Sequence, residues 1–158
     1  MKCKGSYLIL LSLLFPLAFN GQQKDLTKAP FECDLLKAYA TPIQGLKFER
    51  CEEPKELSQL MKTAYYSVSG KDHARIEKLL REKYKMPKLV PFMGYYENEQ
   101  GGSGRIREQQ GENGSQYVLD VNMSGTMKSG ANPKTGRFTI DSNSDLAEYM
   151  VTISIWEL

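Results

Sequence analysis

The chain is poor in the residues on which most metal centres and many enzymes depend. Its 158 residues include one histidine and three cysteines. Cys3 lies in the N-terminal segment that is predicted below to be a cleaved leader, and the remaining histidine and two cysteines are too few for a zinc site with the usual four ligands. The histidine, His73, falls in the first turn of a predicted helix, where we expect a surface position. We therefore predict no catalytic residue, no metal and no cofactor.

Nucleotide-binding and nucleophile motifs are also missing. The glycine-rich stretch over residues 98–115, NEQGGSGRIREQQGENGS, contains neither G-x-x-x-x-G-K-[ST] nor G-x-G-x-x-G, and Ser103 lacks the second glycine of G-x-S-x-G. A strand rather than a helix follows it, so no helix N-terminus is available to hold an anion. We predict a flexible hairpin connection, in which Arg105 and Arg107 make at most peripheral contacts with a partner.

The N-terminus has the pattern of a secretory signal. Two lysines precede an apolar run over residues 7–19, which at 13 residues falls short of the roughly 20 that span a membrane. A lipid anchor requires a cysteine just after the apolar run, whereas Cys3, the one cysteine of this segment, precedes the run. The pattern predicts a signal peptide over residues 1–21 and one domain over residues 22–158, with an uncleaved membrane anchor as the alternative.

Charge gives no reason to expect a nucleic-acid or membrane partner. Without the two lysines of the leader, 19 basic residues balance 19 acidic residues. A neutral chain does not attract phosphate backbones or anionic lipid surfaces. We expect no nucleic acid and no stable membrane insertion after cleavage.

Two cysteines, Cys33 and Cys51, remain in the predicted mature chain. An even number in an oxidising compartment predicts a disulfide, which at this spacing would stabilise the fold by roughly 3 kcal/mol. A reactive thiol pair is the alternative, although the pair lacks the C-x-x-C spacing.

Periodicity predicts an α+β fold. Apolar residues at helical spacing indicate a short helix over residues 30–40 and a longer one from Ser69 or Asp72 to Pro87. Alternation predicts strands, one of them interrupted at Pro91, which favours an edge position or a bulge. The predicted strands cover residues 45–51, 58–70, 88–99, 115–127, 137–141 and 146–158.

The predicted order is α-β-β-α-β-β-(β)-β, with five to six antiparallel strands and both helices on one face. Two segments, residues 35–70 and 79–125, share the same order of features. Each has Leu-Leu, a tyrosine, a proline, a predicted strand, a loop and a second predicted strand that ends in Ser-Gly. This similarity predicts a tandem α-β-β repeat, in which the glycine-rich stretch is the longer counterpart of EEPKEL.

The face of the sheet opposite the helices is predicted to carry aromatic side chains. If Tyr66 and Val68 face the helices, Tyr65 points away, and if Val151, Ile153 and Ile155 point inward, Met150 and Trp156 point outward. Alternation sends one of Tyr95 and Tyr96 the same way. The predicted binding face therefore comprises Tyr65, Tyr95, Tyr96 and Trp156. Packing along the sheet edge, under the long loop or in a dimer contact is the alternative.

Two segments imitate the start of a calcium loop. The first begins at Asp120 but has Ala131 where glutamate is required, and it lies on a predicted strand. The second contains Asp141, Asn143 and Asp145, with no glycine at its sixth position. An Asx-rich turn explains the second segment equally well.

One resemblance covers part of the chain, about residues 33–89. The residues that carry it are Cys33, Asp34, Leu35, Leu36, Gly45, Leu46, Phe48, Cys51, Tyr66, Val68, Gly70, Met86 and Leu89. This pattern resembles a family of secreted bacterial domains of unknown function, and implies a location and a fold but no reaction. The chain departs from that family at residues 92–97, where the family has additional cysteines.

The architecture is also similar to the duplicated helix-strand units of β-lactamase-inhibitory and PepSY-like proteins, which bind proteins through a sheet. From these observations we expect a periplasmic or secreted protein-binding module, inhibitor-like or immunity-like. Its partner would be another envelope or secreted protein. A small periplasmic hydrolase and a structural envelope component are the alternatives.

Overall fold

An antiparallel sheet of seven strands is the main element of the protein, which we describe from a computed structural model over residues 23–56, 58–92, 95–127 and 146–158. Two α-helices and two 3-10 turns, Gly70–Asp72 and Glu99–Gly101, accompany it. In chain order the elements are α1 (Leu35–Tyr39), β1 (Leu46–Glu52), β2 (Leu60–Val68), α2 (His73–Tyr84), β3 (Leu89–Phe92), β4 (Tyr95–Asn98), β5 (Gly104–Gln110), β6 (Gln116–Met127) and β7 (Leu146–Glu157).

The strands lie in the order β1-β2-β7-β6-β4-β3, and β5 also pairs with β6. Strand β5 pairs with the first half of β6, and β4 pairs with β6 at Gly125, so the two shorter strands share one edge of a long one. The long strands β6 and β7 pair from Tyr117 with Glu157 to Met127 with Leu146. They form the middle of the sheet.

One face of the sheet is apolar and carries both helices, as predicted. The inward residues of β2, β6 and β7 are buried together with Leu35 and Leu36 of α1 and Ile76 and Leu80 of α2. Burying one sheet face under helices is the ordinary α+β solution. These inward residues are Ala64, Tyr66, Val68, Tyr117, Leu119, Val121, Met123, Tyr149, Val151, Ile153 and Ile155.

Helix α1 is shorter than predicted because its N-cap lies at Asp34 rather than near Pro30. The Asp34 carboxylate accepts a hydrogen bond from the backbone N–H of Lys37 (3.2 Å) and another from the buried Tyr66 hydroxyl (2.9 Å). That hydroxyl in turn accepts the N–H of Leu36 (3.0 Å). A side chain of β2 therefore fixes the first turn of the helix.

The predicted disulfide is confirmed between Cys33, just before α1, and Cys51 on β1, with 5.3 Å between the Cα atoms. A second connection lies close by. The Lys62 side chain of β2 is buried, donates to the carbonyl oxygen of Phe31 and forms an ion pair with Glu53 (3.0 Å). The segment before α1 is thus held both covalently and by hydrogen bonds.

The glycine-rich stretch is not a flexible connection, because it contains strand β5. The guanidinium of Arg107 donates to the carbonyl oxygen of Lys24 (2.9 Å), and the Gln109 side chain accepts the N–H of Leu26 (3.1 Å). Leu26 itself is 0% exposed. Arg107 therefore has a structural role, which the sequence prediction did not assign to it.

Glycine in this stretch allows close packing. A Cβ atom on Gly104 would lie 2.8 Å from the carbonyl oxygen of Tyr84 and 2.8 Å from the backbone nitrogen of Met86. Such distances leave no room for a side chain where β5 passes the last turn of α2. A Cβ on Gly102 would similarly lie 2.9 Å from Cγ of Pro87.

Other departures from the sequence prediction are local. The strand predicted over residues 88–99 divides into the hairpin of β3 and β4, so the second α-β-β unit carries two more strands than the first. Pro91 does lie on an edge strand, as predicted. Strict alternation over residues 58–70 predicts that Leu60 shares the face of Ala64, but a register shift between Leu60 and Lys62 places Leu60 opposite Trp156, on the other face. The strand predicted over residues 137–141 lies outside the described residues.

We expect Gly104→Ala to destabilise the protein by about 2 kcal/mol, because the new methyl group meets backbone atoms that cannot move independently. The measurement is the midpoint of urea unfolding. Gly70→Ala is the matched control, since no atom lies within 4 Å of a Cβ there. Equal midpoints for the two variants would contradict the packing role of Gly104.

We expect Tyr66→Phe to cost about 1–3 kcal/mol, because it leaves the N–H of Leu36 without its hydrogen-bond acceptor in the interior. Tyr95→Phe, at an exposed tyrosine, should change the free energy of unfolding by less than about 0.5 kcal/mol. Thermal unfolding of the two variants compares these positions directly. A Tyr66 variant as stable as the Tyr95 variant would show that the hydroxyl does not fix α1.

Candidate binding surface

We define the outer face as the side of the sheet that points away from α1 and α2, and it includes four cross-strand rows that run from β1 or β2 to β5 or β6. The described helices cover the opposite side. From one end to the other the rows are Leu60, Trp156, Val118 and Glu108; Glu52, Thr63, Ser154, Asp120 and Arg105; Arg50, Tyr65, Thr152 and Asn122; and Lys47, Ser67, Met150 and Ser124. Hydroxyl, amide and charged groups outnumber apolar ones.

Tyr65 lies in the third row, within a fixed group of three side chains. Its hydroxyl donates to Oε2 of Glu52 (2.9 Å), and the guanidinium of Arg50 lies 4.0 Å from the centre of its ring. Arg50 also donates to Oε1 of Glu52 (3.0 Å). Burial and this carboxylate raise the pKa of Tyr65, while Arg50 and Tyr65 lower the pKa of Glu52. The ring is thus held in place with an arginine over its surface.

Trp156 and Asp120 form the most unusual part of the outer face. Among the described residues, Asp120 Oδ1 and Trp156 Nε1 are buried side-chain polar atoms without a partner in hydrogen-bond geometry. Burial raises the pKa of Asp120, and the nearby Trp156, Ser103 and Arg105 oppose this only in part. Buried polar atoms without partners are rare, and they mark places where a protein tolerates a cost.

The two neighbouring tyrosines of β4 point to opposite faces, as alternation requires. Tyr96 packs against the core, so Tyr95 is the one on the outer side. The Tyr95 ring makes an edge contact with Phe92 across the β3–β4 hairpin, with 5.8 Å between ring centres. Both are exposed, Phe92 by 43% and Tyr95 by 37%. Sequence reasoning missed Phe92 because it placed β3 and β4 in one strand.

The structure puts Tyr65 and Trp156 on the same face but not side by side. Tyr65 pairs with Thr152, four residues before Trp156 on β7, which corresponds to about 13 Å along the strand. Tyr95 lies at a separate corner, beyond the pairing of Tyr96 with Gly125. The predicted aromatic group is therefore spread across the face and separated by hydroxyl side chains.

Strand addition at the β3 edge is blocked. The N–H of Glu99 donates to the carbonyl oxygen of Lys88 (2.8 Å), so every second residue of β3 from position 88 bonds to β4. The backbone groups of residues 89 and 91 therefore point to the free edge. The N–H of Leu89 is taken by Oε1 of Glu77 (3.2 Å), and Pro91 has none. At the other edge, β1 has a register shift and exposed charged side chains. Faces are therefore better suited than edges to binding.

The remaining candidates give no site. His73 is the first residue of α2, and its ring stacks on Tyr149 at 4.4 Å between centres. Within the described ranges there is no group of three or more histidine, cysteine, aspartate or glutamate residues that could hold a metal ion. Asp141, Asn143 and Asp145 lie outside those ranges. None of the helices described here has the length and apolar character needed to cross a membrane.

We expect Asp120→Asn to raise the melting temperature at pH 7 by a few degrees. Burial raises the pKa of Asp120, so the neutral carboxyl favours folding, and this contribution is lost as pH rises through the folded-state pKa. The advantage of the variant should shrink as pH is lowered to 4. Glu108→Gln removes the same charge from an ion pair with Arg105 (2.7 Å) and should not stabilise. A variant no more stable than wild type at pH 7 would contradict this account.

Comparison of the chain with protein-family models, with curated proteins and with solved structures found no match.

Proposed function

We propose that the protein is an exported binding module that recognises another protein through the outer face of its sheet. The observation that carries this proposal is the presence of Tyr65, Arg50 and Trp156 on one sheet face, in the first and third rows, without a covering helix among the described elements. Tyrosine, arginine and tryptophan are the residue types that contribute most binding energy in protein interfaces.

The arrangement around these residues also suits a protein partner. Hydroxyl and amide groups of Thr63, Thr152 and Asn122 lie between the aromatic positions, where they can exchange hydrogen bonds with a partner backbone. The Tyr65 ring is already fixed by Glu52 and Arg50, so its ordering on binding costs little conformational entropy. Such a surface resembles that of an inhibitor or immunity protein.

Export is supported by two features. The Cys33–Cys51 disulfide fits an oxidising compartment such as the periplasm or the cell exterior. The leader predicted over residues 1–21 provides the route. The partner proposed is accordingly another envelope or secreted protein.

A small hydrolase is the second class of function, and Asp120 is the residue that favours it. A carboxyl group with a raised pKa is typical of a general acid. Asp120 lies in the middle of a sheet row between Ser154 and Arg105, on a surface that does not enclose a substrate. The protein-binding function is therefore the better supported of the two.

The test is affinity capture from the periplasm of the producing organism, followed by affinity measurement with the captured protein. We expect Tyr65→Ala/Trp156→Ala to weaken binding at least 30-fold, since truncation of each hot-spot side chain costs more than about 1 kcal/mol. Lys28→Ala/Lys37→Ala is the control, at two exposed residues away from the outer face.

Arg50→Ala supplies a second variant, because its side chain is 54% exposed and its removal should leave the fold intact. It should weaken binding by about 5-fold or more, consistent with loss of one interface side chain. Circular dichroism of each variant checks that the protein is folded. Capture of the same proteins in equal amount by wild type and both outer-face variants would refute the proposal.

A further inference from the structure

A basic cleft lies at the C-terminal end of α2, away from the outer face. Its volume is about 610 Å³, within the range of small-ligand sites. Four of its lining residues are cationic and two are acidic. The lining residues are Lys78, Arg81, Glu82, Lys85, Met86, Pro87, Lys88 and Glu99.

Charge is concentrated around this cleft although the predicted mature chain is neutral. Residues 78–88, from the second half of α2 to the turn after it, contain five basic residues and one acidic residue. The ion pairs that these residues make are long. Lys78 lies 3.9 Å from Glu82 and Arg81 lies 3.9 Å from Glu77, and the Lys78 side chain is 74% exposed. The cations are thus available to an anionic group.

Stabilisation of the helix end accounts for only part of this charge. Cations near a helix C-terminus interact favourably with its free carbonyl groups. In the described part of the chain, Lys85 does so directly, through a hydrogen bond from Nζ to the carbonyl oxygen of Glu82 (3.1 Å). The hydrogen bonds of the described residues show no such contact for Lys78 or Lys88.

The walls of the cleft are rigid. The Asn98 side chain donates to the carbonyl oxygen of Pro87 (2.9 Å). The N–H of Glu99 donates to the carbonyl oxygen of Lys88 (2.8 Å). These bonds hold the turn after α2 against the turn before β5. The backbone on this side of the cleft therefore loses little freedom when a ligand binds.

Lys85 occupies a backbone position that normally favours glycine. Its φ is 60°, and its N–H caps the helix by binding the carbonyl oxygen of Arg81 (3.1 Å). Glycine is the usual residue at this position because it has no Cβ. Besides Lys85, only Gln100, next to Glu99 of the cleft, has positive φ among the described non-glycine residues. Strained residues of this kind cluster at ligand sites.

We propose that this cleft binds an acidic oligosaccharide. The four cations of the lining, Lys85 included, can neutralise its carboxylate or sulfate groups. The carboxylates of Glu82 and Glu99 can accept hydrogen bonds from its hydroxyl groups, and they would repel a ligand that is anionic throughout, such as polyphosphate. Pro87 offers an apolar contact for the carbon face of a sugar ring. The cleft is independent of the outer face.

Isothermal titration calorimetry with three probes, each built of three repeating units, tests this proposal. Trigalacturonate should bind, and its affinity should fall several-fold between 50 and 200 mM NaCl because exposed ion pairs are screened. Neutral maltotriose should not bind measurably, and tripolyphosphate should bind at least 10-fold more weakly than trigalacturonate. Absence of trigalacturonate binding, or equal binding of maltotriose or tripolyphosphate, overturns the proposal.

Three variants locate the binding. Lys78→Ala/Lys88→Ala should weaken trigalacturonate binding at least 10-fold, whereas Lys28→Ala/Lys37→Ala, which removes the same charge elsewhere, should change it less than 2-fold. Lys85→Gly should raise the melting temperature by a few degrees and still weaken binding several-fold. Equal losses in the two double variants, or full affinity in Lys85→Gly, would place the ligand outside the cleft and overturn the proposal.

Discussion

The pairing of β6 with β7 is the constraint on which the rest of the structure depends. Both strands are buried on one side, so the register that places Val121 opposite Ile153 also places Asp120 opposite Ser154 on the other. A slip of one residue would exchange the two faces completely. Burial of the apolar rows under the helices therefore also fixes which residues lie on the outer face. The polar and aromatic side chains there are positioned by the register of the strands and do not need a second hydrophobic core.

Much of this arrangement could be predicted from the sequence, because β6, β7 and α2 have strong periodicity. The apolar residues of β7 and the outward position of Trp156 follow from alternation alone. The disulfide followed from the number and spacing of the cysteines. The features that could not be predicted depend on contacts between residues distant in sequence. Asp34 caps α1 together with Tyr66 of β2, and a register shift moves Leu60 to the other face.

Strand β5 shows why composition alone predicts a flexible connection where the glycine-rich stretch forms a strand. Glycine is common in flexible loops and also at close contacts between backbones, and composition does not distinguish these uses. Only the approach of α2 shows that Gly104 belongs to the second kind. Met86, whose backbone lies against Gly104, also lines the cleft beside Lys85, so the turn after α2 contributes both to the packing of the strand and to the proposed saccharide site.

The segment before α1 has a consequence for how the disulfide acts. Phe31 is also held by Lys62 and Asp34 by Tyr66, and the side chains of β5 bind the backbone of residues 24 and 26, so cutting the covalent bridge removes only one of several attachments. Reduction should then leave the folded arrangement largely in place and act mainly by giving the unfolded chain more conformations. The bridge would thus protect the protein against rare unfolding events, rather than define its shape.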